Sequence, residues 1–321
     1  MTPTLLRPPR REFFAFAYDS RRWANYKPRA DDVVIATYPK CGTTWMQRLI
    51  AMLVFGSAAP RPLAEVSPWI DRRFGPGADE VLAQLEGQTH RRVIKSHLPL
   101  DALPFYDAVK YVHVARDGRD ACLSFHNHSR TFTPAALADM DAIGLADDRI
   151  GRTYPRAPED FRPFFRDWIA EAPWAATQCA LSPLSFFDFE QTYWSERQRP
   201  NILLVHYNDL QNDLEGELRR IAAFLDIPAA ENLWPQFVAA GSFAAMRRDG
   251  DDLMPEAQRA WTGGAKTFLN KGTNGRWRDL LTPDDVARYE TKAARELPPS
   301  CARWLAHGRR EAGDPRAAAD A

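Results

Sequence analysis

Residues 33–45 read Val-Val-Ile-Ala-Thr-Tyr-Pro-Lys-Cys-Gly-Thr-Thr-Trp and divide into three parts. The apolar, β-branched start predicts a buried strand, and the Pro and Gly that follow predict a tight turn. Behind the turn, Trp45, Leu49 and Leu53 recur at the spacing of a helix. Because Gly42 lets the backbone approach a ligand and a helix start presents unpaired N–H groups, the turn is predicted to bind an anion.

The turn also carries a positive charge on Lys40 and hydroxyl groups on Thr43 and Thr44, which together suit a phosphate group. It is not a Walker A loop, because that motif places its Lys after a glycine, whereas Lys40 precedes Gly42. An ordinary ATPase or GTPase is therefore disfavoured. On this motif alone, a plain strand-to-helix turn with a solvated lysine stays an open alternative.

The composition is that of a globular protein with a sizeable core. Of the 321 residues 45% are hydrophobic, so a single domain is predicted over 1–321, with an N-terminal arm over 1–14 and a frayed tail over 306–321. Lys plus Arg and Asp plus Glu both number 42, which gives no net charge. Because no overall field attracts polyanions, neither nucleic acid nor a membrane is predicted as a partner, and any anion site must be local.

Cysteine usage and the N-terminus indicate a reducing compartment. Cys41, Cys122, Cys179 and Cys301 are scattered without a Cys-x-x-Cys pair or a zinc-like spacing to His, so neither a disulfide framework nor a metal site is predicted. Residues 1–11 lack the apolar core of a leader, and no apolar run is long enough to span a bilayer. We therefore predict a cytoplasmic protein.

Four short apolar runs each lead to a polar residue that suits a ligand. The runs cover residues 33–36, 93–94, 111–115 and 202–205. With helical stretches between them, they predict an α/β fold with a doubly wound, mainly parallel central sheet flanked by helices. Ligands of such sheets bind beyond the carboxyl ends of the strands. The residues expected to meet there are Lys40, Lys95, His97, Arg116 and Tyr207.

Two further regions each admit two interpretations. Many aromatic residues alternate with prolines between Cys122 and Gln191, which fits either helices packed on the sheet or an apolar pocket for a second substrate. Residues 241–264 mix charges, a Pro and paired glycines, which predicts a mobile loop or simply a solvated one.

His97 is the candidate general base. Its reference pKa of about 6.5 lets it take a proton from an attacking hydroxyl near neutral pH, although a single His at a strand end is more often structural. Arg116 ends a predicted strand, and Ser124 follows eight residues later along a predicted helix. An Arg fork and a hydroxyl can clamp a phosphate, and a helix cap with surface charges is the plainer alternative.

A third constellation spans residues 268–277, Phe-Leu-Asn-Lys-Gly-Thr-Asn-Gly-Arg-Trp. Its two glycines lie three apart and its Lys stands between aromatic residues, which fits another anion-binding nest or a plain loop. Trp45, Tyr207 and Phe243 lie in or near anion-binding elements and could stack on a purine ring, although each of them alone is more often a core residue.

These motifs resemble those of the cytosolic-type sulfotransferases that use PAPS (3′-phosphoadenosine 5′-phosphosulfate), and they follow in that family's order. Residues 38–45 resemble the loop that binds the 5′-phosphosulfate, with Cys41 where the family usually has Ser. Residues 95–99 resemble its Lys-Thr-His-Leu-Pro segment, and Arg116 with Ser124 resembles its Arg-(x7)-Ser pair.

Two motifs match the family only in part. Residues 268–277 resemble Arg-Lys-Gly-x-x-Gly-Asp-Trp, but Asn270 replaces the Arg and Arg276 replaces the Asp. One ligand of the 3′-phosphate is thereby lost, so weaker cofactor binding is expected unless Arg276, Arg247 or Arg248 compensates. Ser242-Phe243 resembles the end of the family's Thr-Ser-Phe contact to adenine.

The resemblance implies a P-loop-like sulfotransferase fold, PAPS as cofactor with PAP (3′-phosphoadenosine 5′-phosphate) as its product, and no metal. It implies that His97 is the base, that Lys40 and Lys95 stabilise the transferred group and its leaving oxygen, and that Ser124 holds Lys40 away until the acceptor arrives. The residues that it implies for cofactor binding are Lys40, Cys41, Gly42, Thr43, Thr44, Trp45, Arg116, Ser124, Tyr207, Ser242, Phe243, Phe268, Leu269, Asn270, Lys271 and Gly272.

The predicted function is therefore transfer of a sulfuryl group from PAPS to a hydroxyl, or less favourably an amine, of a small apolar or aromatic acceptor. Two alternatives are an atypical P-loop nucleotide kinase and a catalytically silent protein that binds PAP. A homodimer is left open, because the dimer segment of animal relatives is not recognisable around Thr282-Pro283.

Overall fold

The structure is a computed structural model that describes residues 2–170 and 185–319. The strands are β1 (Leu5–Arg7), β2 (Val33–Ala36), β3 (Val93–Ser96), β4 (Phe105–Tyr106), β5 (Lys110–Ala115) and β6 (Ile202–His206). The described helices are α1 (Thr43–Phe55), α2 (Leu63–Val66), α3 (Ala78–Gly87), α4 (Gly118–Arg130), α5 (Pro134–Leu145), α6 (Phe161–Ile169), α7 (Phe186–Trp194), α8 (Tyr207–Asn212), α9 (Leu214–Phe224), α10 (Trp234–Gly241), α11 (Phe243–Arg248), α12 (Gly250–Leu253), α13 (Ala257–Ala260), α14 (Gly264–Phe268), α15 (Pro283–Glu296), α16 (Pro299–His307) and α17 (Arg309–Ala312). Short 3-10 turns cover Ser20–Trp23, Leu100–Ala102, Glu231–Leu233, Arg276–Asp279 and Pro315–Ala317.

The four predicted strands are confirmed and form one parallel sheet in the order β3-β2-β5-β6. Strand β2 lies inside this sheet, with Val34 paired to Ile94 on one side and to Tyr111 on the other. Because the strands are parallel, the residues that follow each of them emerge at the same edge. A separate antiparallel pair, β1 with β4, anchors the N-terminal arm.

Helices cover both faces of the sheet, which confirms the doubly wound architecture. Alternate residues of a strand point to opposite faces, and Val33 and Ile35 share one buried cluster with Leu49 of α1. Val34 and Ala36 belong to the other cluster. The strands are therefore apolar throughout, as expected of a parallel sheet that is buried on both faces.

The prediction of a loop over residues 241–264 is wrong, because this region is mostly helical. Helices α11, α12 and α13 follow one another there. The Ser242 hydroxyl caps α11 by accepting a hydrogen bond from the Ala245 N–H, and Met246, Leu253 and Ala257 are buried. Each of these short helices is anchored by a buried apolar residue. The charges and glycines of the segment, taken alone, indicate a loop.

The prediction of a frayed tail over residues 306–321 is also wrong for residues 306–319, the part that the structure describes. Buried Arg197 donates from Nε to the Pro315 carbonyl at 2.8 Å and from its second terminal nitrogen to the Ala318 carbonyl at 2.7 Å. Asp209 accepts hydrogen bonds from the N–H groups of Arg309 and Arg310. The tail is thus fixed by side chains far away in the sequence.

The aromatic region between Cys122 and Gln191 divides between its two interpretations. Helices α6 and α7 bury Phe164 and Phe187 in the core, as the packing interpretation predicts. Phe132 and Tyr154 line a cavity. Residues 171–184, including Trp174, lie outside the described residues. No helix in the described parts of the chain is long and apolar enough to cross a membrane.

Candidate active site

One cavity of about 860 Å³ opens beyond the carboxyl edge of the sheet. Cationic and hydroxyl side chains line one part of it, and aromatic side chains line another. Its wall includes Lys40, Gly42, Thr43, Thr44, Trp45, Lys95, His97, Arg116, Ser124, Tyr207, Phe243, Phe268, Leu269, Asn270, Lys271, Gly272 and Arg276 on the polar side, and Tyr18, Trp69, Phe74, Phe125, Phe132, Met140, Tyr154 and Trp261 on the apolar side.

The turn between β2 and α1 requires its glycine. Gly42 has φ 117°, and a Cβ there would lie 3.1 Å from the ring of Tyr207. Lys40 also has a positive φ of 70°, which is uncommon for a residue with a side chain. Since Gly42 offers no side-chain cap, the first N–H groups of α1 stay available to an anion in the cavity.

Thr37 joins this turn to His97. Its hydroxyl lies 2.5 Å from the Thr43 hydroxyl, and its carbonyl accepts a hydrogen bond at 2.9 Å from Nδ1 of His97. Because a carbonyl only accepts, the ring proton of neutral His97 is on Nδ1 and Nε2 keeps a free lone pair. Burial and the positive charge of Lys95 lower the pKa of His97 well below its usual range, so the ring is neutral at physiological pH.

Two half-buried lysines lie near enough to His97 for their charges to act on its ring. The Lys40 Nζ lies 3.3 Å from Nδ1 of His128 and 3.9 Å from the ring centre of Phe268. Burial, with the charges of Lys95 and Arg116, lowers the pKa of Lys40 to about 7. The Lys95 Nζ lies 4.2 Å from the ring centre of Trp69, and burial with the charge of Arg72 lowers the pKa of Lys95 to about 8. Neither ammonium group forms an ion pair in the described parts of the chain, and Asp71 and Glu256 only partly offset the lowered pKa of Lys95. An anionic ligand would therefore stabilise both charged forms.

Arg116 is fixed by neutral groups. Its Nε donates to Oδ1 of Asn274 at 2.7 Å, one terminal nitrogen donates to the Thr273 carbonyl at 3.0 Å, and the other donates to the Lys40 carbonyl at 3.4 Å. The guanidinium also lies 4.3 Å from the ring centre of Tyr207. Because these partners carry no negative charge, the positive charge of Arg116 is uncompensated by them and suits a phosphate.

A family model described as "Sulfotransferase domain" matches residues 30–297, which is most of the chain. The chain belongs to the sulfotransferase family. The predictions of the family, the fold class and an enzyme that transfers sulfuryl groups are confirmed.

Two relatives show how far this similarity extends. The sulfotransferase is 32% identical over 307 residues to a glycolipid sulfotransferase of Mycobacterium bovis, which covers 91% of this chain and 93% of the relative. It is 28% identical over 274 residues to rat sulfotransferase 2B1, covering 82% of this chain and 69% of the relative.

Two solved structures share the fold. Retinol dehydratase in complex with androsterone and the inactive cofactor PAP superposes with a TM-score of 0.66 at 22% identity, covering 86% of this chain and 83% of that one. Mouse sulfotransferase SULT7A1 complexed with PAP has a TM-score of 0.66 at 19% identity and covers 94% of this chain and 98% of that one.

Most of the predicted site residues of this sulfotransferase meet at the cavity, and two do not. The Cys41 side chain is fully buried away from it, so only its backbone can contribute to the turn, and burial raises the pKa of its thiol. Ser242 does not line the cavity, because its hydroxyl donates to the Ala239 carbonyl at 2.8 Å and caps α11. Trp45 lines the cavity, and its Nε1 donates to the Gly241 carbonyl at 2.7 Å.

The loop of residues 268–276 reaches the same cavity. Asn270, Lys271 and Arg276 all line it. Gly272 has φ 65° and packs against the ring of Phe243, and its carbonyl accepts from Gln211. Of the three arginines proposed to replace the missing charge at position 270, only Arg276 lines the cavity. Arg248 instead pairs with Asp249 at 2.7 Å, and Arg247 does not reach the cavity wall.

Three residues at the site were missed by the sequence analysis. Asn274 fixes Arg116, and Asp71 accepts a hydrogen bond from the His97 backbone N–H at 3.1 Å. His128 contacts Lys40. Two of them have a signal in the sequence, because Asn274 lies within the predicted nest of residues 268–277 and His128 follows Ser124 by four residues on the same face of a predicted helix.

No group of three or more His, Cys, Asp or Glu side chains among residues 2–170 and 185–319 is arranged to hold a metal ion. The prediction that sulfuryl transfer by this protein needs no metal stays a prediction.

Proposed function

We propose that this sulfotransferase moves the sulfuryl group of PAPS to a hydroxyl group of an apolar or aromatic small molecule, giving PAP and a sulfate ester. One observation carries the proposal: the β2–α1 turn, Lys40 and Arg116 share a single cavity with His97 and an aromatic wall. An amine is the less favoured acceptor. We also keep the cytoplasm as the proposed location.

The residues at the polar end fit PAPS. The cavity is large enough for a nucleotide and a second molecule, and Gly42 leaves room where a Cβ would crowd the turn. We assign the 5′-phosphosulfate to the turn with the start of α1, and the 3′-phosphate to Arg116, Ser124 and the 268–276 loop. Tyr207 and Phe243 offer faces for the purine. PAPS supplies an activated sulfuryl group whose leaving group is a phosphate.

The neighbouring side chains supply base and charge. We assign His97 as the base, because Nε2 has a free lone pair and the carbonyl of Thr37 fixes the ring. Sulfuryl transfer, like phosphoryl transfer, proceeds in line through a transition state with spread charge, so positioning and charge stabilisation dominate. Lys40 and Lys95, neither of which forms an ion pair in the described residues, are assigned to that charge.

The apolar wall supports an apolar acceptor. Trp69 packs against His97 with ring centres 5.0 Å apart, and Tyr18 does so at 5.7 Å. Phe132 and Trp261 stack at 5.9 Å further along the wall. A hydroxyl carried on an apolar body would reach His97 while its body buries these rings. The glycolipid named for the mycobacterial relative and the androsterone bound to retinol dehydratase are acceptor classes to test first.

The purified protein tests this function in two steps. PAP at a hundred times its dissociation constant is expected to stabilise the fold by about 2.7 kcal/mol in thermal unfolding, whereas ADP, and ATP with Mg²⁺, stabilise it less. Transfer from labelled PAPS is then measured with a panel of phenols, sterols and glycolipids. Preference for ATP with Mg²⁺ would indicate a kinase instead, and PAP binding without transfer to any acceptor would indicate a silent binding protein.

Arg276 is expected to replace the charge that Asn270 lacks. Arg276→Ala should weaken PAP binding about tenfold, as expected for losing a hydrogen bond to a charged group, with little change for a nucleotide that lacks the 3′-phosphate. Calorimetric titration with PAP and with AMP measures this difference. Arg278→Ala is the matched control, because exposed Arg278 does not line this cavity. An equal loss for PAP and AMP would contradict the assignment.

Capture of PAPS is expected to weaken as the pH rises. The pKa of Lys40 in the free enzyme is about 7, so its positive charge is present below this pH and is lost above it. Because kcat/KM reports groups of the free enzyme, kcat/KM for PAPS should fall above about pH 7. The pH profile of kcat should decline at a higher pH than that of kcat/KM, since the bound polyanion favours charged Lys40. Lys40→Arg should remove the decline, because a guanidinium stays charged; a decline unchanged in that variant would assign it to another group.

A further inference from the structure

His128 contacts Lys40 from the acceptor side of the cavity. It lies on α4 one turn beyond Ser124, and its ring centre is 4.9 Å from Phe132 and 5.0 Å from Trp261. Its Nδ1 is 3.3 Å from the Lys40 Nζ. The same Nζ lies 3.9 Å from the ring centre of Phe268, which is itself 5.6 Å from the ring centre of His128. The amine therefore contacts a nitrogen lone pair and an aromatic face, two groups that attract a cation.

The contact fixes the proton on the imidazole. When Lys40 is charged it only donates, so in that state Nδ1 of His128 accepts and the ring proton is on Nε2. Burial and the nearby charges of Lys40 and Lys95 hold the pKa of His128 well below its usual range, which keeps the ring neutral. His128 can thus accept a hydrogen bond from Lys40 whenever Lys40 is charged, the form that a bound polyanion favours.

Ser124 is not the residue that contacts the Lys40 amine. The resemblance assigns to Ser124 the holding of Lys40, but no hydrogen bond joins these two side chains in the described residues, although both line the cavity. The Lys40 amine instead turns to His128 and Phe268. His128 packs against Phe132 and Trp261 of the apolar wall assigned to the acceptor, so an acceptor that enters there meets the contact directly.

We propose that His128 is a positioning residue that holds Lys40 away from the phosphosulfate until an acceptor enters the cavity. The inference rests on the proposed function. When an acceptor occupies the cavity beside His128 and Phe268, it disturbs both contacts, and Lys40 is free to turn towards the leaving oxygen. Without an acceptor, Lys40 stays on His128, and transfer of the sulfuryl group to water is slow.

Hydrolysis of PAPS without an acceptor tests the proposal. In this side reaction a water oxygen bonds to sulfur, the bond from sulfur to the bridging oxygen breaks, and sulfate, PAP and a proton are released. His128→Phe keeps an aromatic ring but removes the lone pair. We expect it to raise the rate of acceptor-free hydrolysis about tenfold, the size expected for one lost hydrogen bond to a charged group, while PAP affinity changes less than about twofold. A residue that only supported the fold would lower this rate on replacement.

Two further variants complete the test. His128→Asn can place an amide oxygen near the position of Nδ1, so it should keep hydrolysis close to the wild-type rate. His126→Gln is the matched control on the same helix, because His126 bonds the Pro158 carbonyl at 2.8 Å and does not line the cavity. If His128→Phe hydrolysed PAPS at the same rate as the wild type and bound PAP normally, the inference would be overturned and the proposed function would stand. Wild-type protein that neither binds PAP nor transfers sulfuryl groups would overturn the proposed function itself.

Discussion

Replacing His97 by Asn is expected to lower kcat for transfer by about a thousandfold, within the range contributed by general base catalysis. The amide N–H of Asn can still donate to the Thr37 carbonyl, as Nδ1 of His97 does at 2.9 Å. What the variant lacks is the basic lone pair of Nε2. The loss should therefore appear in kcat, measured with labelled PAPS and saturating acceptor, and PAP affinity should change less than about threefold.

His307→Asn is the control for this variant. His307 is 53% exposed at the end of α16 and pairs with Glu311 on the surface, so its replacement should leave kcat unchanged. Thermal unfolding of His97→Asn checks that the fold persists. Transfer by this variant at more than about a tenth of the wild-type rate would remove His97 from the role of base.

Replacing Lys40 by Met is expected to lower kcat by about a hundredfold or more, the size found when one group that stabilises transition-state charge is removed. Met is similar in length and apolar, and it carries the same backbone strain as Lys at φ 70°. PAP should still bind within about tenfold of wild type, because Arg116, Arg276 and the N–H groups of α1 are retained. A single-turnover assay separates the chemical step from binding.

The matched control is Lys266→Met on α14. Lys266 is exposed and does not line the cavity, so this variant should retain wild-type kinetics. Removing the charge of half-buried Lys40 also ends the partial desolvation of its ammonium, so Lys40→Met should unfold at a temperature no lower than wild type. If Lys40→Met lost PAP binding as strongly as turnover, Lys40 would be a residue for ground-state binding and not for the transition state.

The sequence predicted the parts of the fold that depend on local signals. Strand β2 and the turn after it were predictable because a β-branched run, a Pro and a glycine with φ 117° leave little choice of conformation. The convergence of Lys40 and Arg116 on one cavity follows from parallel strands alone. Their places could thus be predicted without knowledge of any side-chain contact.

What could not be predicted depends on contacts between distant residues. The tail is held by Arg197 through bonds to Pro315 and Ala318, more than a hundred residues away. The partner of Lys40 is His128, a pairing that depends on the rotamer of Lys40 and on Phe268 behind it. The helices between residues 241 and 264 are each only one or two turns long, too short for an amphipathic period to show.

Thr37 fixes the distance between the β2–α1 turn and His97. Its hydroxyl meets Thr43 at the entrance of the nucleotide turn, and its carbonyl orients His97. Both contacts start from one residue directly after β2, which lies inside the sheet with a neighbour on each side. The spacing between the β2–α1 turn and His97, the proposed base, is therefore set by the interior of the protein itself.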